Sequence, residues 1–169
     1  KGAFHRLPNA RRSLVSFRLS QEALQILHKG ALLYDIGKVG IRDGLLMKPG
    51  KLTRDALNGL EAPEIGAEII ALEGSSPLIA PLILRHHERP DGTGYPWIKG
   101  INIPLGAGII AAADAFEAMT ADRIYRQAYP IERVIKKLKQ NSGSQFAGEI
   151  VATFLDVMDN SLLSKQRFL

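Results

Sequence analysis

The chain contains no cysteine. That removes disulfides and thiolate metal sites together, and leaves His, Asp and Glu as the side chains able to hold a metal ion. It also lacks any apolar run long enough to span a bilayer, and no signal-peptide pattern opens it, so a cytoplasmic protein without a membrane span is expected. No period-two run is long enough to claim a strand, and no internal repeat or low-complexity tract is present. What is present is an ordinary globular composition. The 169 residues are 46% hydrophobic and 23% charged, enough for one well-buried core. A net charge of +5 comes largely from Arg11, Arg12 and Arg18 and from Arg133, Lys136, Lys137 and Lys139. The second group shares a segment with Ile131, Val134, Ile135 and Leu138, which recur at helical spacing, so these cations belong to a solvated face. Nucleic acid is therefore not expected as a partner; a small anion such as a nucleotide suits the sign of the charge.

Nearly every element reads as helix, which makes the fold class all-α, a bundle of about seven helices. Ser20 caps a helix over 20–34 and Thr53 one over 54–60. Pro63 opens a helix to about 72, and Pro77 one over 77–87. The loop 88–104 is too rich in proline and glycine for regular structure. Helices follow over 104–121, from 130, and over 145–158. The organisation expected is an N-terminal segment 1–18, a domain over 19–158 and a tail over 159–169.

Two of these helices hold a lone acid. Asp114 is the only charge in an otherwise apolar stretch from Leu105 to Phe116, and Asp35 stands alone after Ala31-Leu32-Leu33-Tyr34, with Lys38 one turn on. A buried carboxylate without a partner costs several kcal/mol or is driven neutral, so each must be matched. One such acid is commonly a satisfied ion pair or a cap. Two of them and the His86-His87 pair, drawn from three apolar helices, are what a metal site inside a helical bundle requires.

These residues sit in a longer pattern. The string His86-His87-Glu88-Arg89-Pro90-Asp91-Gly92-Thr93-Gly94-Tyr95-Pro96 resembles the signature HHExxDGxGYP of the HD-GYP family of cyclic di-GMP phosphodiesterases. Further blocks agree in order: Ala31 to Lys38, Leu46 to Thr53, Pro63-Glu64-Ile65-Gly66, Ala113 to Thr120, and Arg123-Ile124-Tyr125-Arg126. The resemblance implies an HD-domain-like helical bundle with a GYP loop, hydrolysing cyclic di-GMP at a two- or three-metal centre, often iron or manganese. By that resemblance Asp35, His86, His87 and Asp114 are the metal ligands. Lys38, Tyr95, Arg123 and Arg126 contact the ligand phosphates or shape the pocket, and Lys38 and Asp35 serve catalysis if the site is active.

Several positions depart from the family. Tyr34 stands where the His of the His-Asp pair belongs, and Ala62 where a ligand His precedes Pro-Glu-Ile-Gly. No histidine falls in register near Gly2, and Gln145-Phe146-Ala147-Gly148 replaces Gln-Phe-Asp-Pro. A two-metal centre is not expected; the metal content expected is none or one weakly bound ion. Tyr34 is expected to fill the vacated volume and donate its hydroxyl to Asp35 or Asp114, holding the two acids together. Three functions follow. The first, which the sequence favours, is a degenerate module that binds cyclic di-GMP or a protein partner without turnover. The second is a metal-dependent phosphodiesterase with a reduced centre. The third is a scaffold whose GYP loop docks a diguanylate cyclase or another signalling protein.

Overall fold

The chain forms helices because its apolar residues recur at helical spacing and its punctuation falls between those runs. The computed structural model describes residues 17, 19–41, 62–74, 76–95, 102–122 and 127–166, with side chains to residue 159. The expected helix over 54–60 lies outside them. Among the described residues there are six α-helices and one 3₁₀ helix: α1 (Gln21–Leu33), the 3₁₀ helix (Ile36–Gly40), α2 (Ala62–Leu72), α3 (Ala80–Arg85), α4 (Leu105–Thr120), α5 (Ile131–Gln140) and α6 (Gly148–Gln166). No strand occurs among them. The all-α reading holds.

The Ser20 hydroxyl accepts from Ala23 N at 3.1 Å, as its place before α1 requires. Four boundaries differ from expectation. Helix α3 has only six residues, because Pro77 to Ile79 form a turn in which Ile79 N reaches Ser76 O at 3.0 Å. Its other end stops at Arg85, where His86 and His87 turn out of the helix. Helix α6 starts at Gly148 rather than 145, because Asn141 to Phe146 close on themselves: Phe146 N donates to Asn141 O at 3.1 Å and Gly143 N to Phe146 O at 2.7 Å. It also runs on to Gln166, through most of the stretch read as a tail. No helix of the described residues is long and apolar enough to cross a membrane.

Helix α4 is the central element, as its apolar surroundings imply: Ala107, Ile109, Ile110, Ala112 and Ala113 are all buried. Leu27 and Ala31 of α1, Leu82 of α3, Val134 and Leu138 of α5, and Ile150 and Val151 of α6 pack into the same core. A second, smaller cluster of Ile70, Ile79 and Ile83 ties α2 to α3. The 3₁₀ helix is pressed against the start of α2. A Cβ on Gly37 would collide with the Ala62 carbonyl and come within 2.6 Å of Gly66 N, so only glycine permits the approach. These contacts bring the ends of α1 and α3, the start of α2 and the middle of α4 into one neighbourhood.

Candidate functional site

Four side chains form its centre. Tyr34 ends α1, and its hydroxyl donates to Asp114 Oδ1 on α4 at 2.9 Å. Asp35 follows it and is held by Lys38 across the 3₁₀ helix, Nζ to Oδ2 at 2.7 Å. That pair is well exposed, with side chains 52% and 38% accessible for Lys38 and Asp35. The expectation that Tyr34 joins both acids is thus half met: it takes Asp114, while Lys38 takes Asp35.

His86, 2% exposed, directs Nδ1 to the Ile83 carbonyl at 2.6 Å. A carbonyl only accepts, so Nδ1 carries the proton and Nε2 presents its lone pair. That Nε2 is buried with no hydrogen-bond partner among the described residues. Burial, above all, lowers the pKa of His86. It takes His87 down to about 3, with the neighbouring His86 and Lys38 adding to the effect. Both imidazoles are neutral across the physiological range.

The rings form a short stack. Tyr34 meets His86 edge-on at 5.2 Å, His86 meets His87 at 3.9 Å, and His87 lies nearly parallel to Tyr95 at 4.8 Å. Tyr95 is placed by its loop: its N–H donates to the His87 carbonyl at 3.3 Å. Gly94 lets the chain double back, since a Cβ there would lie 2.5 Å from both Arg89 N and His87 O. Asp91 braces the same loop, accepting from Thr93 N at 2.9 Å and from Arg89 at 3.1 Å. Burial raises the Tyr95 phenol, with Glu64 the next cause, then Asp35 and Asp114. Burial likewise pushes the Asp114 carboxyl up; the Tyr34 hydrogen bond works against that rise, and the charge of Asp35 adds to it.

A cavity of about 110 Å³ is lined by His86, His87, Glu88, Asp114, Gln145 and Phe146, among others. It shares Glu88, Ala111, Gln145 and Phe146 with a larger one of about 440 Å³, whose wall includes Ala147. Sequence reasoning did not single out Glu64, whose Oε2 is buried without a hydrogen-bond partner among the described residues. Its signal was an acid in the first turn of a helix whose buried face carries Pro63, Gly66 and Ile70. Glu88, 3% exposed, stood in the quoted motif without a role. Arg123 and Arg126 lie outside the described residues.

The HD domain family profile matches residues 6–150. The chain belongs to the HD domain family, in its HD-GYP branch. Two relatives bear this out. The HD-GYP domain is 38% identical over 148 residues to a cyclic di-GMP phosphodiesterase of Vibrio cholerae, covering 82% of this chain and 30% of that protein. It is 41% identical over 143 residues to the cyclic di-GMP phosphodiesterase response regulator RpfG of Xanthomonas campestris, covering 81% and 37%. The chain thus spans about a third of the length of these relatives. Among solved structures, the HD-GYP protein Bd1817 of Bdellovibrio bacteriovorus shares the fold at a TM-score of 0.67 and 19% identity, covering 87% of this chain and 47% of that one.

Membership of a metal-dependent family raises the question of fit. The Nε2 lone pair of His86 has the form of a ligand held by its other nitrogen, the usual arrangement at a metal. The rest of the set is differently engaged. Asp114 has the Tyr34 hydroxyl, Asp35 has Lys38, and Ala62 offers no donor. Among the described residues no three His, Asp or Glu side chains come together so as to hold an ion. These residues do not fit a two-ion centre.

Proposed function

We propose that this HD-GYP domain acts on cyclic di-GMP as a metal-dependent phosphodiesterase with a reduced centre, iron or manganese being the metals of the family it resembles. The observation that carries this reading is the buried, unpartnered Nε2 of His86 on the wall of a cavity that also meets Asp114. Such a nitrogen is costly to leave unsatisfied, and a bound cation removes the cost. The phosphodiesterase relatives support hydrolysis over the binding-only role that the sequence alone favours. A bound ion would supply Lewis acidity and an activated water. The chain's own residues do the rest. Lys38, paired with Asp35 and half exposed, is assigned to a phosphate oxygen, and Tyr95, stacked on His87, to shaping the ligand pocket. Arg123 and Arg126, three apart in sequence, are assigned to a second phosphate contact. In the reaction water adds across one P–O ester, opening the ring to a linear dinucleotide.

A second reading, a module that binds cyclic di-GMP without turnover, is favoured by the Tyr34–Asp114 hydrogen bond. The decisive assay follows cyclic di-GMP chromatographically with the full chain, in manganese or ferrous iron. Sustained linear product, abolished by His86→Ala, supports hydrolysis. No product with either metal, together with ligand binding in chelator, overturns it in favour of the second reading. A diguanylate cyclase or other signalling protein docking on the GYP loop is the partner proposed for either, with capture by a purified cyclase domain as its test.

A further inference from the structure

Tyr34 does more than fill space left by a smaller side chain. Its hydroxyl engages Asp114 Oδ1 at 2.9 Å, and its ring stands edge-on to His86 at 5.2 Å. The phenol therefore touches both the carboxylate of α4 and the imidazole that ends α3. An ion bound at Asp114 Oδ1 would have to displace the hydroxyl that engages it. On the other side, Asp35 Oδ2 is taken by Lys38 at 2.7 Å. Ala62, whose carbonyl lies against Gly37, has no side-chain atom able to bind an ion. Each carboxylate thus already has a hydrogen donor, whereas His86 Nε2 is buried with no hydrogen-bond partner among the described residues.

We infer that Tyr34 takes the place of an ion at Asp114, closing that half of the centre, so that the chain loads at most one divalent cation, on the His86 side. A packed phenol joining α1 to α4 through one hydrogen bond does the structural work of a bridging cation, and does it without metal. The inference rests on the reduced centre of the proposed function but not on turnover.

The test is equilibrium dialysis of the full chain against manganese, with elemental analysis and the electron paramagnetic resonance of bound manganese as readouts. Wild type is expected to hold one equivalent or none, and His86→Ala to hold none. Tyr34→His, which restores a nitrogen donor and removes the phenol, is expected to gain an equivalent or to tighten binding by at least about tenfold. Tyr34→Asn serves as the second opening variant, smaller than the ring it replaces, and circular dichroism identifies which variants fold. Two equivalents in wild type overturn the inference whatever the variants do. So does unchanged stoichiometry and affinity in the folded opening variants. If wild type binds nothing and Tyr34→His gains an ion, the inference stands and the metal-dependent reading of wild type falls. If the metal pattern is as expected but cyclic di-GMP is not turned over, only the proposed function falls.

Discussion

A histidine with one nitrogen committed and the other unmet makes the strongest single statement in this site. His86 and His87 are held neutral by burial, so acid works against the fold. The unfolded chain takes up protons near the ordinary 6.5, while folded His87 resists until about 3. Between those limits the unfolded state binds more protons, so stability falls as pH falls. Asp114 carries the opposite sign: its raised carboxyl costs stability as pH rises above the ordinary carboxylate range. A variant separates the two. Urea midpoints measured from pH 7 to pH 4 should drop more steeply for wild type than for His87→Asn; parallel curves would contradict the assignment. Lys38 behaves differently, because its exposed pair with Asp35 is worth less than about 1 kcal/mol to the fold. Lys38→Ala should leave the urea midpoint nearly unmoved and weaken cyclic di-GMP binding about tenfold or more, the worth of a charge-assisted hydrogen bond. Calorimetric titration checks it, and unchanged affinity would remove Lys38 from the ligand set. At this scale the sequence identified lone acids in need of partners but left the partner of Tyr34 open between Asp35 and Asp114. The choice depends on how α1 and α4 are set against each other across 80 positions of chain, which no local pattern encodes.

Elements carry the site by their ends. The 3₁₀ helix was not foreseen, since a five-residue turn with glycine at Gly37 and Gly40 has neither the length nor the periodicity that marks a helix. Its importance lies in its seat on α2. Gly37→Ala should destabilise the domain by about 3 kcal/mol or more, since the added methyl meets backbone on two sides and neither side can yield as a side chain would. Thermal unfolding reads the effect, and a shift of only a degree or two would mean that the contact is looser than described. The overlong reading of α3 has a related cause. Apolar Leu82, Ile83 and Leu84 lead into the histidines without a breaker, but the His86 ring claims the Ile83 carbonyl and the GYP loop folds back onto His87. Side chain and loop end that helix, and neither appears in a hydrophobic pattern.

Across the whole molecule, the all-α class and the central place of α4 were legible because composition and helical spacing agreed over most of the chain. The family was legible because ordered motif blocks are far more specific than any periodicity. Ala62 and Ala147 were legible in the sequence as departures from the family pattern; the structure adds that the Ala62 carbonyl lies against Gly37 and that Ala147 stands on the wall of the larger cavity. The core should respond as a single packed body. Ile83 is fully buried between α2 and α3, so Ile83→Ala should cost about 2–5 kcal/mol in urea denaturation. A smaller loss would mean that the clusters are not coupled at that point. The central claim remains that one phenol stands where an ion would. Anomalous diffraction from crystals of the full chain grown in manganese tests it most directly. One peak beside His86, or none, with the Tyr34 hydroxyl still on Asp114, is the predicted result; two peaks flanking Asp114, with the phenol displaced, would contradict it.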